Sequence, residues 1–393
     1  MIQKNMQNLK ISISIGFALF AMLFGAGNII FPLYLGANIG EHVIISITGF
    51  LITGVGAPFL GLISSGLFKG NYMLFFEKLG KIPAIIIISF LMIIIGPLIA
   101  IPRTETIVFS NLNQYLPNIM KNNIIFSFIY CTILIFISMK ESKIIDILGY
   151  ILSPLKILTF SSLIIIGLFF AKQIEINESN NITSMKALEK SIITGYSTMD
   201  LLATFFFSTI AFKTIENIKK NVLIIINASI IGSLLIGLIY VGFILLSYKY
   251  KNILVNIPIE STLIFISKEI LGEFGGIFIC LCLSLACLAT ALALTQASKL
   301  YLYNEIFKKK ISKTICLLII ITITYIMSHL KFQKIMNLIT PILEIIYPSL
   351  IILCVANIIY KIKKIDIIKI SVYTTIILSI IVNITHIKIF TFI

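Results

Sequence analysis

The chain has 393 residues, 59% of them hydrophobic and 12% charged, and its mean hydropathy is +1.07. A soluble domain is about half apolar and about a quarter charged, so this composition excludes a soluble enzyme, a disordered chain and a disulfide scaffold. The net charge of +15 lies in short segments between long apolar runs, where anionic headgroups and the positive-inside rule account for it, so membrane lipids are expected partners and nucleic acid is not.

Eleven apolar runs predict an all-α polytopic membrane protein. They cover roughly residues 11–35, 43–67, 82–112, 123–139, 147–171, 193–213, 221–248, 273–299, 314–329, 336–360 and 367–387. The first run has no convincing small-residue cleavage site, which predicts a retained helix rather than a signal peptide. Two connections are long: a polar loop at 172–192, and a mixed loop at 249–272 with room for a surface helix. No linker divides residues 1–393, which read as a single transmembrane domain. With the N-terminus inside, nineteen Lys fall in inner segments and ten in outer ones. That asymmetry predicts a cytoplasmic N-terminus and, with eleven spans rather than twelve, an outer C-terminus. The six cysteines all fall in apolar runs without a CxxC, and read as small buried hydrophobes.

The information lies in polar and helix-breaking residues at membrane depth. Span 1 carries Phe24, Gly25, Ala26, Gly27, Asn28 and Pro32 near its middle. Glycines weaken a helix and proline removes a hydrogen bond, which predicts a broken helix lining a cavity. Its freed N–H groups suit a carboxylate and its freed carbonyls a cation. Close packing through small residues is the other reading of the glycines. Span 6 carries Ser197, Thr198 and Asp200. Asp200 either faces a cation, a substrate ammonium or a protein donor, or sits in the outer headgroup zone before a later span start. Spans 1 and 6 are five apart and oppositely oriented, the pattern of an inverted repeat around a midplane site. No residue-level identity between the halves supports the repeat.

Span 3 places Arg103 and Glu105 in its outer half, as gate residues or as a structural ion pair. Thr290 in span 8 offers its hydroxyl to a cation or to its own helix backbone. Lys156 lies nine residues into span 5, either reaching the inner headgroups or serving function. No nucleotide-binding loop, zinc-protease or nucleophile-elbow motif occurs, so neither ATP use nor enzymatic activity is expected.

The segments FALFAMLFGAGNIIFPLYLG (17–36), GPLIAIPRTET (96–106), GYSTMDLLA (195–203) and CLATALALTQAS (287–298) resemble the bacterial branched-chain amino acid:cation symporters of the BrnQ type. The resemblance implies sodium-driven import of leucine, isoleucine and valine across the inner (plasma) membrane by alternating access, with no cofactor and no obligate protein partner. It also implies the LeuT-type fold, a five-plus-five inverted repeat with discontinuous helices 1 and 6. The repeats would span about 11–171 and 193–360, with an extra helix at about 367–387. By this analogy Gly25, Ala26, Gly27 and Asn28 hold the substrate carboxylate, and Ser197, Thr198 and Asp200 face its ammonium and side chain. Phe24, Gly25 and Thr290 border the sodium ion, and Arg103, Glu105 and Lys156 are gating or coupling candidates. Two features depart from the pattern. Members commonly have about twelve spans, and Ala289 stands where related sodium sites often carry a second hydroxyl. With Lys156 nearby, a proton or a fixed ammonium is the alternative to sodium, and another neutral amino acid is the alternative substrate. A channel lacks a visible filter or symmetric assembly.

Overall fold

The computed structural model describes residues 2–139, 143–170, 182–213 and 222–390. Lys140, Lys172, Lys219 and Lys220, which enter the charge asymmetry, and residues 172–181 of the polar loop lie outside the described residues.

Span 1 is two helices, α1 (Ile2–Leu23) and α2 (Gly27–Ala37). The break falls at residues 24–26, earlier than Pro32, which sits inside α2. Proline therefore does not make the break. The Gly25 N–H turns instead to the Asn28 side chain, donating to Oδ1 at 3.0 Å. Ala26 closes the start of α2 by accepting from the N–H groups of Ile29 and Ile30, both at 3.2 Å.

Span 2 is α3 (Val43–Leu67), widened by a π turn at Ile52–Gly56. Span 3, predicted as one helix, is α4 (Lys81–Ile93) and α5 (Ala100–Leu112) joined by a π turn. Gly96 leaves helical geometry there (φ −94°, ψ −120°), directly before Pro97, which disfavours the helical region for the residue preceding it. Spans 4 and 5 are α6 (Asn123–Met139) and α7 (Lys143–Phe170).

Span 6 is also two helices, α8 (Ser184–Tyr196) and α9 (Asp200–Lys213). α8 starts within the predicted polar loop because Thr183 caps it, its hydroxyl accepting from the Lys186 N–H at 3.4 Å. The chain turns at Met199, a non-glycine residue in the left-handed region (φ 62°). The Thr198 hydroxyl clips both sides of the turn, donating to the Gly195 carbonyl at 2.9 Å and accepting from the Asp200 N–H at 3.4 Å.

Spans 7 to 11 are α10 (Val222–Lys249), α11 (Thr262–Tyr301), α12 (Lys313–Ser328), α13 (Phe332–Lys363) and α14 (Ile368–Phe390). α11 bends at Gly272 (φ 72°), so its first part is the helix anticipated within the 249–272 loop.

Among the described residues, seven helical stretches are long and apolar enough to cross a membrane, and shorter apolar helices lie at Gly27–Ala37, Asn123–Met139, Pro154–Phe170 and Lys313–Ser328. Large apolar side chains point outward as well as inward: Phe274 is 90% exposed and Phe169 84%. Such a surface is stable only against hydrocarbon. α1 and α2 pack lengthwise on α10, α3 on α8 and α9, and α5 on α11. These contacts bring the breaks of spans 1 and 6 together.

Candidate functional site

Where the two breaks meet, three polar side chains form a closed ring. Asn28 Nδ2 donates to Asp200 Oδ2 at 2.7 Å and also contacts the Tyr240 hydroxyl, which donates to the same Oδ2 at 2.6 Å. All three residues are buried. A carboxyl at this depth needs such donors to offset its desolvation. Asn28 thus holds both breaks: its oxygen takes the Gly25 N–H and its nitrogen reaches span 6.

Tyr240 was not anticipated as a site residue. It lies in an apolar stretch of span 7 where a tyrosine reads as core, and only the packing of α10 on α2 and α3 reveals its role. Tyr240→Phe is expected to cost about 1.5–3 kcal/mol, the range for hydrogen bonds to charged groups. The measurement is thermal unfolding of the purified protein, and an unchanged midpoint means Asp200 has another donor.

Lys156 does not reach for the headgroups. It is 4% exposed, and Nζ donates to the Phe24 carbonyl at 3.1 Å, inside the break of span 1. The ammonium therefore occupies one of the freed carbonyls expected to suit a cation. Thr290 abuts the same segment: a Cβ on Gly25 would lie 2.6 Å from its Oγ1, so only glycine allows this approach of span 1 to α11. The Thr290 hydroxyl donates to the Ala286 carbonyl of its own helix at 3.2 Å, which leaves its lone pairs free to face the break.

Arg103 and Glu105 do not pair. Two residues apart on α5, they face different neighbours. Arg103 Nη1 donates to the Ser197 carbonyl at 2.8 Å, and its guanidinium lies over the Phe31 ring at 5.3 Å. Glu105 Oε1 accepts from the Ser127 hydroxyl of α6 at 2.9 Å, away from the two breaks. Glu105 therefore ties span 3 to span 4 and lies apart from the other candidate residues.

Two cavities flank Arg103. A wide one of about 480 Å³ lies between α2, α8 and α13, bounded by Phe31, Tyr34, Lys190, Ser197 and Met336 among others. A small one of about 30 Å³ is lined by Gly25, Ala26, Gly27, Asn28, Arg103, Thr198, Asp200 and Thr290. Apart from Thr104, its remaining walls are apolar: Met22, Leu23, Ile95, Ala100, Ala203, Phe207 and Leu294 take part. Of the residues expected to bind substrate, all but Ser197 thus line one cavity, and Ser197 lines the other. At about 30 Å³ the small cavity holds no more than a water's share of volume, so the site is closed around its own side chains.

Comparisons with known proteins give the family and the fold. The family model described as "Branched-chain amino acid transport protein" matches residues 8–392. A Staphylococcus epidermidis protein named "Putative branched-chain amino acid carrier protein" is 30% identical over 361 residues, covering 85% of this chain and 78% of its own. A Staphylococcus saprophyticus protein of like name is 31% identical over 355 residues, with the same coverage. Among solved structures, the inward-facing conformation of Mhp1 aligns with a TM-score of 0.66 at 12% identity, over 89% of this chain and 77% of that one. MhsT in complex with L-phenylalanine aligns with a TM-score of 0.62 at 14% identity, over 94% and 97%. The fold is therefore the LeuT-type five-plus-five inverted repeat, with helices 1 and 6 discontinuous.

Proposed function

The chain belongs to the branched-chain amino acid transport protein family, a family of multi-pass membrane transporters rather than enzymes, and from that premise we propose that it imports leucine, isoleucine and valine across the bacterial plasma (inner) membrane by alternating access. The observation that carries this reading is the meeting of two broken spans at a polar cluster with apolar walls. An amino acid zwitterion needs an anion site and a cation site side by side, and a branched aliphatic side chain needs a dry, apolar neighbour. The break and the first turn of α2, at Ala26, Gly27 and Asn28, supply N–H groups for the carboxylate, with Gly25 beside them holding its N–H on Asn28 Oδ1. Ser197, Thr198 and Asp200 supply oxygen acceptors for the ammonium. Met22, Leu23, Ile95 and Leu294 line the same cavity and receive the side chain.

With the N-terminus cytoplasmic, the wide cavity opens to the outside. Substrate enters there, and spans 1, 2, 6 and 7 then move against spans 3, 4, 8 and 9. Because the drive acts on the break of span 1, ion and substrate order the same backbone and are coupled. In our reading the coupling cation is the Lys156 ammonium: its hydrogen bond to the Phe24 carbonyl supports a proton carried on lysine in place of sodium. Sodium is the second reading. The closeness of Thr290 to Gly25 favours it, with Phe24, Gly25 and Thr290 as its ligands.

The test of substrate class is competition. Labelled leucine uptake into proteoliposomes is expected to fall to background with excess isoleucine or valine and to persist with excess lysine or glutamate. Competition by alanine or phenylalanine stronger than by valine would replace the branched-chain reading with another neutral amino acid.

A further inference from the structure

Arg103 is a buried cation with no carboxylate at contact distance among the described residues: Asp200 shares its cavity and attracts it, but the Asp200 carboxyl is taken up by Asn28 and Tyr240. Arg103 is 5% exposed, its Nη1 and Nη2 reach the carbonyls of Ser197 and Thr198 at 2.8 and 3.5 Å, and its Nε–H has no acceptor among the described residues. It forms no ion pair among the described residues. A guanidinium fork fits a carboxylate, and carbonyls alone compensate its desolvation less well.

Its position sharpens the point. A Cβ on Gly27 would lie 2.8 Å from Nη2, so the guanidinium rests on the first turn of α2. That end of a helix presents N–H groups without intrahelical partners and a partial positive charge. Two positive features face each other, and the Asp200 carboxyl in the same cavity is turned to Asn28 and Tyr240 rather than set between them. The guanidinium also divides the two cavities, since it lines the small one while Ser197 and Phe31, both touching it, line the wide one.

We propose that Arg103 receives the substrate's α-carboxylate and that substrate entry is an exchange of partners. The incoming carboxylate takes the guanidinium from the carbonyls of Ser197 and Thr198. The carbonyls so released accept from the substrate's ammonium. No covalent bond changes; one set of hydrogen bonds replaces another, and the wide and small cavities become one. The closed site is then the empty site, held shut by the residue that opens it. A ligand without a carboxylate cannot draw the arginine away, so selection for an α-amino acid precedes selection for its side chain. This inference rests on the amino acid reading above and adds which group recognises the carboxylate.

The experiment compares each acid with its amide. Binding of leucine and leucinamide to the purified full-length protein is measured by calorimetry, with alanine and phenylalanine and their amides in parallel. Wild type is expected to prefer leucine by at least about 100-fold, because a site built around a charged hydrogen bond rejects the analogue lacking it. In Arg103→Ala the preference is expected to fall at least about tenfold through weaker leucine binding, with leucinamide changed less than about threefold and the rest of the preference left to the N–H groups of α2. Arg103→Lys keeps the charge but not the fork, and is expected to lose about tenfold of the preference. Thermal unfolding reports whether each variant is folded, and the lysine variant carries the test if the alanine variant is not. No acid-over-amide preference in wild type, an unchanged preference in a folded variant, or equal loss of acid and amide overturns the proposal. If wild type binds phenylalanine or alanine better than leucine, the branched-chain reading falls, and the same contrast on that ligand judges Arg103. Absence of binding by any amino acid to folded wild type overturns both.

Discussion

Asp200→Asn is expected to lower the initial rate of leucine uptake about 1000-fold. The carboxyl of Asp200 accepts from both Asn28 and Tyr240, and so holds spans 1, 6 and 7 together at the breaks. In the proposed mechanism it also faces the substrate ammonium. Truncating one partner of a buried, hydrogen-bonded charge pair costs about 2–5 kcal/mol, and about 1.4 kcal/mol is tenfold. The amide keeps the shape and one acceptor, so folding is expected to survive while the charge is lost. Proteoliposome uptake checks the rate, and thermal unfolding checks that the variant is intact. An intact variant transporting within about threefold of wild type would remove Asp200 from the site.

Lys156→Ala carries the second large effect. The substitution leaves the Phe24 carbonyl buried without its donor, which costs about 1–3 kcal/mol of stability. It also removes the only fixed charge that the proposed coupling provides at the break of span 1. Uptake driven by a proton gradient is expected to fall at least about 100-fold. Lys156→Arg is not expected to restore it, because a planar guanidinium does not replace a compact ammonium that can release its proton. A lysine that only satisfies the Phe24 carbonyl would tolerate either change in a folded protein, so unchanged uptake in both variants would leave Lys156 a structural donor and no more.

Much of the architecture was legible in the sequence because membrane spans announce themselves by length and apolarity. The break in span 1 was legible too, since two glycines and an asparagine cannot sit idly at membrane depth. Pro32 pointed to the right helix but not to the break, which Gly25 and Asn28 make. Span 6 showed its acid but not its start, because the capped helix from Ser184 is too polar in composition to read as part of a span. Partner choice was the least visible level. Arg103 and Glu105 look like a pair in the sequence, but a spacing of two on a helix turns them apart, one to Ser197 and one to Ser127. Tyr240 gave no local signal, because its significance depends on the packing of α10 against both breaks. Lys156 could be placed in span 5, but whether it turned outward or inward depended on tertiary packing alone.

In the proposed mechanism, branched-chain amino acids move with the Lys156 ammonium in the place that a sodium ion would otherwise take. The most direct measurement is labelled leucine uptake by wild-type proteoliposomes, under an inward proton gradient without sodium and under an inward sodium gradient at equal pH. Accumulation is expected under the proton gradient alone and is expected to be lost in Lys156→Ala. Accumulation that requires sodium and survives Lys156→Ala unchanged would contradict that mechanism.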